Sequence, residues 1–180
     1  MYRGGLRAAV FFCSLDSIDM TRQDDKMGAM DEMGEMDGVP AGFERLKRGG
    51  PYMAGLGSLY CKREGDRITI AMRVTEQHTN MRGIVHGGML ASLADSSLGL
   101  GLALSCENRH SFVTVNLSTD FLDAARPGDW VEAHVHIGRI GSRVAFADCA
   151  LMVGERRVLR ASGVFAVMKP LTAAQLDAGY

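Results

Sequence analysis

Short runs of β-type residues at 52–63 and 67–74, separated by Glu64-Gly65-Asp66, predict two strands joined as a hairpin. Residues 89–104 break that rhythm. They are apolar almost throughout, interrupted by Ser, Gly and one acid, Asp95, and the run is too long for an ordinary strand. It reads as a helix buried on most sides. Four further strand patterns follow at 111–122, 129–137, 142–153 and 157–167. Tight turns at Pro127-Gly128-Asp129, Gly138 to Gly141 and Gly154-Glu155 separate them, a spacing that suits an antiparallel meander. A short helix is predicted at 41–48, stopped by Gly49-Gly50-Pro51. Two strands, one apolar helix and four strands predict an α+β fold with an antiparallel sheet wrapped around the helix.

Composition supports one domain with a tail. The chain has 180 residues, 47% hydrophobic and 23% charged, with a formal net charge of −1. That balance argues against a general nucleic-acid binder, and no apolar run in the sequence was expected to span a bilayer. The near-zero total conceals an uneven distribution. Residues 1–38 hold eight acidic and four basic residues and six of the 12 methionines, so they carry −4 and leave +3 for residues 39–180. The stretch from Met27 to Gly38 lacks aromatic and β-branched residues, and a disordered tail over 1–38 is expected, with the folded domain at 39–180. The start, Tyr2-Arg-Gly-Gly-Leu-Arg and then Ala8-Ala-Val-Phe-Phe, faintly resembles a targeting signal, but its apolar part is short. Cys13, Cys61, Cys106 and Cys149 are widely scattered, which fits a reduced cytoplasmic protein.

Candidate chemistry concentrates between Gln77 and Asp95. Gly87 and Gly88 stand where the long helix should begin, so their N–H groups lack intrahelical partners. Without a Cβ they let a ligand oxygen approach the positive end of the helix dipole, as an oxyanion hole or a phosphate site requires. The same pair could simply permit a tight entry into the helix. Asp95 is the lone charge of that helix, either a costly buried carboxylate with a function or a residue on a solvent-facing stripe. Eight residues of helix separate Gly87 from Asp95 by about 12 Å. If both act on one reacting centre, they come from different subunits and the working unit is an oligomer.

The pattern His78-x-Asn80-x-x-Gly83-x-x-His86-Gly87-Gly88, with Asp95 seven residues on, resembles the hotdog-fold acyl-CoA thioesterases of the PaaI (phenylacetate-degradation) type. The resemblance runs from about residue 42 to 168. It implies hydrolysis of an acyl-CoA, with an aromatic or medium-chain acyl group, to a free acid and CoA. It further implies that Gly87 N–H polarises the thioester carbonyl, that Asn80 helps hold it, and that Asp95 from the facing subunit is nucleophile or general base. Thr114 aligns with a residue that holds the water, His86 shapes the loop, and His78 is assigned to loop structure. A related class acting on hydroxybenzoyl-type substrates has Glu where this chain has Asp95. Arg126, Arg139, Ser142 and Arg143 are the candidates for binding CoA, which is substrate; no cofactor is expected. His134 and His136 share one side of a strand at a spacing that zinc sites use, but no third ligand is evident and the family uses no metal. A homo-oligomer is implied, at least a dimer and by expectation a tetramer, with no nucleic-acid or membrane partner. Two alternatives stay open: hydratase or dehydratase chemistry on an acyl thioester, and a non-catalytic acyl-CoA sensor.

Overall fold

The computed structural model describes residues 38–47 and 49–177. The tail expected at 1–38 therefore lies almost wholly outside the described residues. The framework is a seven-stranded antiparallel sheet: β1 (Glu44–Leu46), β2 (Leu59–Glu64), β3 (Arg67–Arg73), β4 (Ser111–Phe121), β5 (Trp130–Ile140), β6 (Val144–Val153) and β7 (Arg156–Met168). Among the described residues three α-helices accompany it, α1 (Gly50–Ala54), α2 (Gly87–Ser105) and α3 (Ala173–Asp177), with one 3-10 turn at Glu76–His78. The strands lie in the order β1-β2-β3-β5-β6-β7-β4.

The β2–β3 hairpin, the central helix and the four later strands form close to where the sequence predicts them, and the sheet curls around α2. The turn expected at Gly138 to Gly141 is instead a bulge at Gly138 in a β5 that continues to Ile140, with the reversal at 141–143. The arrangement of the strands is not a simple meander. β5, β6 and β7 follow one another, but β4 crosses to the far edge and pairs with β7 alone. Bulges after Thr114 in β4 and after Ile137 in β5 add the bend that lets the sheet close over the helix.

The helix predicted at 41–48 is absent. Glu44–Leu46 form a short edge strand on β2, with Glu44 opposite Cys61 and Leu46 opposite Leu59. The cause is tertiary: Phe43 packs edge-on against Trp130, centroids 5.2 Å apart, and Tyr60 lies 5.2 Å from the same ring. That contact holds the segment extended. Gly49-Gly50-Pro51 opens α1 instead of ending a helix, because a proline in the first turn lacks only an N–H that would have no partner there. The strand predicted from residue 52 accordingly starts only at Leu59.

In α2 the buried positions are Met89, Leu90, Leu93, Ala94, Ser97, Leu98, Gly101 and Leu102. They recur with the helical period and form one stripe facing the sheet, narrower than the burial on most sides expected from the sequence. Leu93, Leu98 and Leu102 meet Ile70, Met72, Leu151, Leu159 and Phe165 in one continuous core. By length and hydropathy alone, 19 residues at 1.3, α2 could cross a bilayer, which corrects the expectation of no such run. Its buried stripe is the protein's own core. The opposite stripe, from Ala91 through Asp95 to Leu104, is half-buried. At its end Glu107 (φ 55°) and Asn108 (φ 59°) adopt left-handed backbone, reversing the chain so that β4 returns along α2.

Two glycines of α2 differ sharply in what surrounds them. A Cβ on Gly101 would lie 2.7 Å from Val135 Cγ1, whereas one on Gly99 would meet Phe165 Cε1 at 3.7 Å, an ordinary contact. Gly101→Ala should therefore destabilise the protein by about 1–3 kcal/mol, while Gly99→Ala should be neutral or stabilising by up to about 1 kcal/mol. Urea midpoints of the two variants check this, and equal midpoints would contradict it.

Candidate active site

The loop leading into α2 is built on His78. Its ring is buried, with Nδ1 accepting from Thr75 N–H at 2.9 Å and Nε2–H donating to the Leu56 carbonyl. Its own carbonyl accepts from His86 N–H at 2.8 Å, and Thr79 pairs with Val85. Between them Asn80 to Gly83 make a tight turn. Asn80 N–H donates to Ile84 O at 2.9 Å, Asn80 Oδ1 accepts from Arg82 N–H at 2.8 Å, and Gly83 sits at φ 69°. With its oxygen used in the turn, Asn80 keeps its amide N–H groups, which take no partner among the described residues.

His86 is the N-cap of α2. Its Nδ1 accepts the Gly88 N–H at 2.9 Å, which places the ring proton on Nε2. Of the two glycine N–H groups at the helix start, Gly88's is therefore spent on the cap. Gly87 N–H has no partner among the described residues. Phe121 covers that position closely: a Cβ on Gly87 would lie 3.1 Å from Phe121 Cε1. The outcome is one free donor at the positive end of a long helix, sheltered by a ring.

Asp95 stands on the half-buried stripe of α2, two turns along. Its Oδ1 accepts from Thr114 Oγ1–H at 2.8 Å, across to β4 immediately before the bulge. Thr114 thus holds the carboxylate by one oxygen, and both residues line a groove of about 470 Å³. Tyr52 from α1 borders the same groove and its hydroxyl lies 2.9 Å from Ser92 Oγ, tying α1 to α2. Asp95 and Gly87 lie on one rigid helix, about 12 Å apart along its axis, so the chain does not bring them together within itself.

The candidates for CoA fall into two groups. Val85 N–H donates to Ala125 O at 2.9 Å, which ties the exposed Arg126 to the Gly87 end of the helix. Beside it, the Ala124 N–H and the Arg156 guanidinium hold the Asp123 carboxyl below the usual carboxylate range, with a smaller contribution from Arg126. Arg139, Ser142 and Arg143 are exposed at the other end of β5, a strand about 35 Å long. One protomer does not gather both groups around one ligand.

His134 and His136 share the outer face of β5, as the alternation predicts. His134 Nε2 lies 2.9 Å from Glu132 and His136 Nδ1 lies 4.0 Å from Asp148. Among the described residues no three His, Cys, Asp or Glu side chains converge on a metal position. The described cysteines, Cys61, Cys106 and Cys149, are unpaired, and burial pushes the Cys149 thiol up to about 12. Sequence reasoning missed Phe121 and Tyr52. Both meet α2 only through the chain crossings that bring β4 and α1 beside it, and neither carries a local signal of that contact.

Residues 82–159 match the family described as the thioesterase superfamily. A candidate esterase of Pseudomonas aeruginosa is 44% identical over 131 residues, covering 72% of this chain and 98% of that protein. Acyl-coenzyme A thioesterase 13 of Mus musculus is 34% identical over 87 residues, covering 48% of this chain and 61% of the mouse protein. Among solved structures, the PaaI protein of the E. coli phenylacetic acid degradation operon superposes with a TM-score of 0.60. At 22% identity, covering 67% of this chain and 87% of that one, it demonstrates the shared fold.

The His78 network predicts a stability effect separable from chemistry. His78→Phe leaves Thr75 N–H without its partner and Leu56 O with only the 3.3 Å bond from Gln77 Nε2, and should cost about 1–3 kcal/mol in chemical denaturation. An unchanged midpoint would show that the ring does not hold the loop.

Proposed function

The chain belongs to the thioesterase superfamily with a hotdog fold, and from that premise we propose that it hydrolyses acyl-CoA thioesters to a free acid and CoA. The observation that carries this reading is the Asp95–Thr114 hydrogen bond, which presents one carboxylate oxygen, already oriented, to an apolar groove. In the proposed reaction a water lies between Asp95 Oδ2 and the Thr114 hydroxyl, whose lone pairs accept one of its protons. Asp95 takes the other proton as the water oxygen bonds to the thioester carbon. Charge then develops on the carbonyl oxygen, where Gly87 N–H and the Asn80 amide of the facing subunit donate to it. As the C–S bond breaks, the thiolate leaves and takes up the proton that Asp95 holds. Asp95 acts here as general base.

His86 is engaged by its Nδ1 in capping α2, which weighs against hydratase chemistry pairing a histidine with an acid. A non-catalytic sensor would have no use for a carboxylate oriented by a hydroxyl at the groove. Arg126, held toward the N-terminal end of α2 by the Val85–Ala125 bond, is proposed for the CoA phosphates, with Arg139, Ser142 and Arg143 serving only from another subunit. A dimer is the minimum assembly in this scheme, and a tetramer is the proposed one. The unpaired thiols support a reducing, cytoplasmic setting.

A thiol-release assay tests the chemistry. Asp95→Asn should lower kcat by about a hundred- to ten-thousandfold and Thr114→Val by about tenfold. An Asp95→Asn enzyme with unchanged kcat would end the proposal. Single turnover in ¹⁸O-water should label the product acid and not Asp95; label in Asp95 would make it the nucleophile. The shared site has its own test. Mixed dimers of Asp95→Asn and Gly87→Ala should regain about a quarter of wild-type activity, because half the dimers carry one intact site. No regain after subunit exchange would place each site within one chain.

A further inference from the structure

Phe112 and Thr114 lie two apart on one face of β4, the face that Thr114 turns toward Asp95. His110 stands in the bend just before the strand, with its ring against Phe112. Opposite them, Asp95, Gly99 and Ala103 lie four apart on the half-buried stripe of α2. All six residues line the groove of about 470 Å³ that begins at Asp95. The helix gives its length: about 12 Å from Asp95 to Ala103 at the helix rise, with His110 four residues before Thr114 on the opposite wall. The groove is thus a slot with the Asp95–Thr114 pair at one end and an imidazole at the other.

Its middle is apolar, lined by Phe112 and Phe165 from the sheet and by Gly99, which has no side chain, from the helix. Gly99 could carry a Cβ without a clash, so packing against the sheet does not require a glycine there, and its absent side chain leaves the slot open. The far end is polar. The His110 ring lies edge-on to Phe112 at 6.5 Å, is exposed, and its nitrogens take no hydrogen bond among the described residues. An aromatic acyl group seated against Asp95 would stop short of His110. A linear chain would reach it.

We propose that the slot between β4 and α2 holds a linear medium-length acyl chain, and that His110 hydrogen-bonds an oxygen-bearing group at its far end. Gly99 and His110 are then specificity-determining residues, the first for chain length and the second for the polar terminus. Neutral imidazole both donates and accepts, so it suits a hydroxyl. The inference rests on the acyl-CoA reading of the Asp95 site and names its substrate class.

Non-hydrolysable thioethers test it independently of turnover. Calorimetry would compare S-butyl-CoA, S-octyl-CoA and S-(ω-hydroxyoctyl)-CoA on wild type, Gly99→Leu and His110→Phe. Wild type should bind the hydroxyoctyl compound about fivefold more tightly than the octyl one, and His110→Phe should erase that preference. Gly99→Leu should lower the octyl-to-butyl affinity ratio about tenfold or more. Equal wild-type affinities for the two octyl compounds, a hydroxyl preference that survives in His110→Phe, or a chain-length ratio untouched by Gly99→Leu would each overturn the proposal. Thiol release from octanoyl-CoA and its ω-hydroxy analogue separates the two readings. Binding preferences without release would remove the hydrolase reading and keep the slot; release without preferences would do the reverse.

Discussion

Burial of one stripe of α2 against the sheet is the constraint on which the rest depends. Eight positions from Met89 to Leu102 go inward, and covering them requires strands on several sides of one helix. A flat sheet would leave part of that stripe wet. The bulges in β4 and β5 and the placement of β4 at the edge beyond β7 are the geometric response. Once the inward stripe is committed, the outward one is only half-buried, with Leu100 and Leu104 still packed against the core. That is where Asp95, Gly99 and Ala103 stand, under β4, in a groove instead of a core.

Rigidity of the same helix divides the chemistry. Gly87 at its first turn and Asp95 two turns later cannot approach each other without breaking backbone hydrogen bonds. A helix terminus and a mid-helix carboxylate are each well placed for one half of thioester hydrolysis, and on the proposed reading a two-fold partner supplies the other. His86 refines the first half. By taking the Gly88 N–H it decides which glycine N–H remains available, a selection that the Gly-Gly pair alone leaves undetermined.

Legibility from sequence followed the range of the interactions. The long helix, the hairpin at Glu64-Gly65-Asp66 and the four later strands rest on local periodicity and turn residues, and they form close to where those signals lie. Residues 41–48 show the opposite case. Their weak helical pattern yields to a tertiary contact, Phe43 on Trp130, between residues far apart in the chain. Gly50-Pro51 has two local meanings, the end of one helix or the start of another, and only the surroundings choose between them. The motif from His78 to Asp95 marks the region of the site, while the hydrogen bond from Thr114 depends on β4 returning over α2.

By itself the sequence determined the residue types that carry the chemistry, the helix that holds two of them apart, and the α+β class, because each is a matter of composition and short-range period. The tertiary structure decided which side of α2 Asp95 occupies, that Thr114 orients it, that Gly87 and not Gly88 keeps a free N–H, and that His110 lines the same groove as Asp95. Those outcomes depend on a sharp reversal at Glu107 and Asn108 and on a bulge beside Thr114. Both aim side chains across the space between strand and helix, and neither leaves a periodic trace along the chain.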